Sequence, residues 1–339
     1  MPQKRSKIAK YGQKWPYFAQ KPHFLTSAVF WLFIGIICIE SAAFKYLEPR
    51  FFSHEMDELV WKLKHDSYDK PVVMLGDSVG RQISLAMRSM GDTSFAPLAT
   101  SAAVETAGQY FVFLRYLEHN RNPDHVILFM RNPLDGDLKK VCTENYVQRC
   151  FTRWHEIASL TWQTRNPAFG LRMLTYRLAS AKYRLHLQRA VPSLAVKDPF
   201  AGIPADQLQE RKKELKKKSA WERLAGLALP RNTETVSEYY FLKLLDECRR
   251  RDIPLYFQTT PMRASKIDTP EETARRGALM ERMRELAAEY PGFAFSETVS
   301  AYPDECFIDG IHIQKRNLPE ICDDYAGLFS RITGERILK

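Results

Sequence analysis

Beyond residue 70 the chain alternates short, mainly apolar runs with longer stretches of helical periodicity. The runs lie at 72–75, 95–98, 126–130, 254–258 and 293–296. The periodic stretches predict helices over 79–90, 102–120, 233–251, 271–290 and 319–332. Strands that are apolar throughout, without polar alternation, are buried on both faces, as in a parallel sheet covered by helices. The regular strand–helix order therefore predicts an α/β domain over 71–339 with helices on both sides of a parallel sheet. The gap between the third and fourth runs is too long for one crossover, so residues 136–232 are predicted to be a helical insertion. Residues 45–70 read as a stalk, with Trp61 and Leu63 packing on the domain.

A different pattern governs the N-terminus. Residues 24–44 are apolar with Glu40 as the only charge, after a tail carrying Lys4, Arg5, Lys7, Lys10, Lys14 and Lys21 and no acid. As a helix, the apolar stretch spans about 32 Å, enough for a hydrocarbon core of about 30 Å. The predicted arrangement is a cytoplasmic tail over 1–23, a single transmembrane helix over 24–44 in the inner (cytoplasmic) membrane, and a domain in the periplasm or exterior. A cleaved signal peptide competes, because Ser41-Ala42-Ala43 supplies small residues after the apolar stretch. The long basic segment and Glu40 favour the anchor. A buried core helix is the third reading, disfavoured by the basic flank.

The 339 residues are 45% hydrophobic and 27% charged, which excludes a disordered chain. Part of the net charge of +10 is concentrated in the insertion. From 157 to 197 it carries Arg165, Arg172, Arg177, Lys182, Arg184, Arg189 and Lys197 without an acid, interleaved with Trp162, Tyr176 and Tyr183; Trp154 just precedes it. Such a segment suits anionic lipid headgroups or an anionic glycan; the plainer alternative is a solvated helical face. Export with the domain argues against nucleic acid as a partner. Cys142 with Cys150, and Cys306 with Cys322, are candidate disulfides in an exported domain. No Cys/His grouping has metal-ligand spacing, so neither a metal nor a cofactor is expected.

The candidate chemistry lies in two motifs far apart in the chain. Gly76-Asp77-Ser78 follows the first apolar run, and Asp309-Gly310-Ile311-His312 comes near the C-terminus. A serine between a strand and a helix sits at the carboxyl end of the sheet, where open α/β folds place ligands, and at the positive end of the helix. Asp309 and His312, three residues apart, can point the same way in a turn, so that the carboxylate orients the imidazole and the imidazole faces the serine.

These blocks resemble those of the SGNH/GDSL hydrolase superfamily, whose nucleophile sits in a G-D-S block after the first strand and whose base and acid sit in a late D-x-x-H block. The resemblance covers about 71–335, less the insertion. It implies a three-layer, flavodoxin-like sheet with Ser78 as nucleophile, His312 as general base and Asp309 as its orienter. It also implies an oxyanion hole made by the Ser78 N–H and Asn132, the residue of Met130-Arg131-Asn132-Pro133 that stands at the family's third block. Asn-Pro is equally a turn signal. The second block, which in the family supplies a glycine N–H, here reads Ala96-Pro97-Leu98-Ala99-Thr100-Ser101-Ala102-Ala103 and has no glycine.

The expectation is therefore an exported, membrane-anchored serine acyl-ester hydrolase or O-acyltransferase. Its group would be acetyl, on an acylated cell-envelope polysaccharide or lipid-linked glycan. By the resemblance, a polytopic membrane acyl-donor protein is the implied partner. Two alternatives stand beside it: a lipid esterase that docks through the basic insertion on an anionic membrane surface, and a non-catalytic envelope glycan-binding or scaffold protein with the same fold.

Overall fold

The computed structural model describes residues 31, 32, 34–40, 42, 59, 62, 63, 68–100, 105–135, 153–175 and 235–334. The chain divides into two compact units, 1–51 and 52–339. In the first unit, the described residues from 31 to 42 are helical, with Trp31, Leu32 and Ile39 each about two-thirds exposed. Among the described residues no helix is long and apolar enough to cross a membrane. The predicted 1–23 tail lies outside them, as does about half of the predicted 24–44 span.

The second unit is an α/β fold around a five-stranded parallel sheet. Strand β1 (Val72–Gly76) leads into helix α1 (Ser78–Ser89), β2 (Phe95–Pro97) precedes α2 (Glu105–His119), and β3 (His125–Phe129) closes the first half. The described part of the insertion contributes α3 (Trp154–Thr164) and α4 (Pro167–Thr175). Then come α5 (Val236–Arg250), β4 (Leu255–Gln258), β5 (Met262–Arg263), the single turn α6 (Ala264–Ile267) and α7 (Pro270–Glu289). Strands β6 (Phe293–Phe295) and β7 (Ala301–Tyr302) and helix α8 (Leu318–Thr333) complete it. The main sheet runs β2-β1-β3-β4-β6, a flavodoxin-like order, and β5 pairs with β7 in a separate two-stranded sheet that the apolar pattern is too short to announce.

Side-chain alternation along the strands explains the two covering layers. Val72 and Met74 of β1, with Ile127 and Phe129 of β3, face α1 and α8, where Val79, Ile83, Met87, Tyr325 and Phe329 are fully buried or nearly so. Val73, Leu75, Val126 and Leu128 face the other way, into a core built with α2, α5 and α7. Tyr240 of α5 packs against Phe111 of α2 with ring centroids 5.3 Å apart. Ile157 and Leu160 of α3 and Phe169 and Met173 of α4 join this core, and a buried Arg115–Glu156 ion pair ties α3 to α2. The beginning of the insertion is thus part of the domain. So is part of the stalk, because Leu63 is completely buried in the same core, as the sequence predicts.

The observed strands and helices match the apolar runs to within a few residues, since burial on both faces leaves a long unbroken signal. One expectation fails. Cys306 and Cys322 are both free thiols, and Cys322 is buried against α1, where its Sγ donates to the Ile83 carbonyl at 3.7 Å. The half-buried Cys306 instead closes the loop through its own carbonyl, which accepts from the Gln314 N–H. Cys142 and Cys150 lie outside the described residues.

Candidate active site

Strand order fixes where a site can form. β1 is flanked by β2 and β3, so the connections from β1 and β3 leave on opposite sides and open a crevice at the carboxyl ends of the strands. Ser78, the first residue of α1, sits there.

The turn that presents Ser78 is held by close backbone approach. A Cβ on Gly76 would lie 2.0 Å from the Phe129 carbonyl oxygen, and one on Gly80 would lie 2.4 Å from the same atom. Without side chains at both positions, α1 settles against the end of β3, and Asp77 donates its N–H to that carbonyl at 3.2 Å. Asp77 is the N-cap: its Oδ1 accepts from the Val79 and Gly80 N–H groups, and its Oδ2 accepts from the Arg131 N–H at 2.9 Å. Burial pushes the Asp77 carboxyl up, against the pull of the Gly80, Arg131 and Val79 N–H donors and the Arg131 charge. With the second and third N–H groups of α1 taken by Asp77, the Ser78 N–H has no acceptor among the described residues. It is therefore available to a bound oxyanion.

From the other end of the chain, the loop after β7 is closed by an antiparallel bridge between Phe307 and Ile313. The Ile308 N–H donates to the His312 carbonyl, and the Gln82 side chain of α1 accepts from the Ile313 N–H at 3.1 Å. Inside this loop the Asp309 Oδ1 accepts from the N–H groups of Ile311 and His312, both at 2.7 Å. The His312 Nδ1 lies 2.7 Å from the Asp309 Oδ2, and its Nε2 lies 3.1 Å from the Ser78 Oγ. Asp309 is held well below the usual carboxylate range, chiefly by the His312 N–H, with further help from the imidazole and the Ile311 N–H. An ionised carboxylate only accepts, so Nδ1 carries the proton and Nε2 is left to receive one from Ser78. The two segments, 234 positions apart, thus meet as a relay.

The relay is open to solvent: the side chains of His312 and Asp309 are 39% and 54% exposed. Asn132 stands just past β3, on the same edge. Its Oδ1 accepts from the Leu134 N–H at 3.0 Å, so the turn role is filled by the oxygen and the Nδ2 is the side chain's remaining donor. Of the second block, Thr100 donates its N–H to the Gly76 carbonyl, while residues 101–103 lie outside the described residues. Also outside lie the side chain of Arg172 and all of Arg177, Arg184 and Arg189.

Several supporting residues escape the sequence reading. Gln109 of α2, almost fully buried, accepts from the Gly76 N–H at 3.1 Å and donates to the Thr100 hydroxyl at 2.6 Å, tying β1, β2 and α2 together beneath the serine. Gln82 ties the Asp309–His312 loop to α1. Only Gly80 left a local trace, four residues after Gly76 in a helix that otherwise has no reason to carry glycine. Among the described residues no three His, Cys, Asp or Glu side chains converge to hold a metal ion.

Comparison of the sequence with family models and with curated proteins finds no match.

Proposed function

We propose that the protein is a serine acyl-ester hydrolase or O-acyltransferase of the SGNH/GDSL type, anchored by residues 24–44 and acting outside the cytoplasm on an acylated envelope polysaccharide or lipid-linked glycan. The observation that carries this reading is the Ser78–His312–Asp309 relay, with separations of 3.1 and 2.7 Å, at the switch point of a parallel sheet. In the mechanism the Ser78 Oγ attacks the acyl carbonyl while its proton passes to the His312 Nε2, and the Asp309 carboxylate stabilises the imidazolium that forms. The Ser78 N–H, at the helix N-terminus, and the Asn132 Nδ2 receive the developing oxyanion. His312 then returns the proton to the leaving alkoxide. Water or a sugar hydroxyl attacks the acyl-enzyme next, and that choice separates hydrolysis from transfer. Acetyl is the proposed group, and a polytopic membrane acyl donor the proposed partner.

The exposure of the relay supports a bulky polymer as substrate, since a polymer needs no deep pocket. The test is labelling of the full-length protein with a fluorophosphonate probe. Wild type is expected to label and Ser78→Ala to stay folded without labelling; equal labelling of the two removes the nucleophile assignment. Protease added to spheroplasts is expected to remove the domain and spare residues 1–23, and protection of the whole chain overturns the topology.

A further inference from the structure

Beside the relay lies a cleft of about 270 Å³ whose charged lining is Arg131, Arg263 and Lys266. Among the described residues no carboxylate lines it. Gly310 and Ile311, the two residues between Asp309 and His312, form part of its wall, together with Thr260. Arg131 reaches the site from the other side, because its N–H is bonded to the Asp77 side chain, next to Ser78. The cleft therefore borders the relay through Gly310 and Ile311 and, by way of Arg131, through the Asp77 that precedes Ser78.

Each arginine is gripped from behind by one carboxylate and left with a donor to spare. The Arg131 Nη2 pairs with Glu272 at 3.0 Å, and the Arg263 Nη2 pairs with Asp304 at 2.7 Å. Burial opposes the charge on Glu272, but the Arg275 hydrogen bond and the charges of Arg275 and Arg131 outweigh it and keep the carboxyl below its usual range. Asp304 is likewise held low, by Ser265 first and Arg263 after it. Both pairs thus remain ionised and both guanidinium planes are fixed. Yet the Nε–H groups of Arg131 and Arg263 are buried with no partner among the described residues. Those Nε–H groups are closed off from solvent, and it is the accessible guanidinium ends, on side chains 38% exposed at Arg131 and 29% at Arg263, that meet the cleft. Lys266, exposed and without an ion pair among the described residues, adds a third positive charge at the rim.

We infer that this cleft is an anion-recognition subsite: it binds an oxyanion, either the carboxylate of an acidic sugar or a phosphate, carried by the substrate next to the acyl ester. Oriented guanidinium groups match these planar or tetrahedral oxyanions better than they match neutral hydroxyls. The volume holds one sugar-sized group. The inference deepens the proposed function, on which its substrate role rests, and it is independent of the basic run in the insertion.

The test has two arms on the full-length protein. In the first, glucuronate, inorganic phosphate and glucose are compared by ligand-observed NMR competition at millimolar concentrations. One of the two anions is expected to bind well ahead of glucose and to weaken with salt, and which of them does so distinguishes the two sources. Arg263→Gln and Lys266→Gln are each expected to weaken it, Arg263→Gln by about tenfold or more, while Arg263→Lys recovers part of the loss. Lys266→Gln leaves the fold unperturbed because no described residue leans on it. Equal binding of anions and glucose, or unchanged anion binding in both Gln variants, overturns the inference. In the second arm, an acetylated glucuronoside is compared with an acetylated glucoside, and the kcat/KM ratio is expected to favour the acid in wild type and to collapse mainly through KM in Arg263→Gln. A ratio near one in wild type also overturns the substrate role. Anion binding without serine labelling would leave the subsite standing and remove the esterase reading, whereas labelling without anion preference would do the reverse.

Discussion

Gly80 allows the construction of the serine turn to be tested against a substitution of opposite sign elsewhere in the same protein. In Gly80→Ala the new Cβ meets the Phe129 carbonyl oxygen at 2.4 Å, whereas ordinary contact begins at 3.4 Å, so α1 and the end of β3 must separate by about 1 Å. The atom in the way is backbone, with no flexible side chain to yield. Separation stretches the Asp77 N–H bond to the same carbonyl from 3.2 Å to beyond hydrogen-bonding range. Overpacking costs about 1–3 kcal/mol and the lost bond about 1 kcal/mol. Alanine's better helix propensity returns at most about 1 kcal/mol. The net expectation is a destabilisation of about 1–3 kcal/mol. Gly277, exposed in the interior of α7 with no described residue within 4 Å of its would-be Cβ, provides the control: Gly277→Ala is expected to stabilise by about 0.5–1 kcal/mol. Urea midpoints at constant m-value measure both. The same 1 Å moves the Ser78 Oγ away from its 3.1 Å contact with His312, so the rate of fluorophosphonate labelling is expected to fall at least tenfold in Gly80→Ala and to be unchanged in Gly277→Ala. Stabilisation by Gly80→Ala, or undiminished labelling, would refute the claim that close approach to Phe129 sets the serine.

Four further outcomes are expected. His312→Ala should lower turnover by roughly three orders of magnitude or more, as for a member of a unit that acts together; a mild loss would mean that another base serves Ser78. Gln109→Leu should cost about 1–3 kcal/mol in a denaturant titration, because it leaves the buried Gly76 N–H without its acceptor. Asp309→Asn tests electrostatics by pH: a depressed folded-state carboxyl stabilises above its unfolded value near 3.9 and loses that contribution as pH falls through the folded value. The Tm gap between wild type and Asp309→Asn should thus be full near neutrality and close below about pH 4. Iodoacetamide should modify the half-buried Cys306 before the buried Cys322, whose thiol burial pushes up to about 12, and equal protection of both under non-reducing conditions would restore the disulfide.

The main sheet and its helices were legible in the sequence because strands covered on both faces must be apolar throughout, and runs such as 72–75 and 126–130 have no other economical reading. Ser78, Asp309 and His312 were legible because a G-D-S strand-to-helix turn and a D-x-x-H loop are local patterns, and the structure brings their side chains within hydrogen-bonding distance. What the sequence could not contain is contact between elements. That the 2.7 Å and 3.1 Å bonds form one relay across 234 positions depends on β1 sitting between β2 and β3 and on α8 packing beside α1. Gln109 and Gln82 look like any polar helix residue until α2 and α1 are docked and their amides meet Gly76, Thr100 and Ile313. Cys306 and Cys322 are adjacent in a sequence count but separate in space, because one closes a loop edge and the other is buried against α1. Arg131 and Arg263, 132 positions apart, share a cleft only because the short β5–β7 sheet, held by four residues with no apolar run of their own, carries Arg263 to the edge where β3 ends. Local patterning specifies elements through burial and turn chemistry; the site and the cleft beside it depend on which elements are neighbours, and that is set by packing over the whole domain.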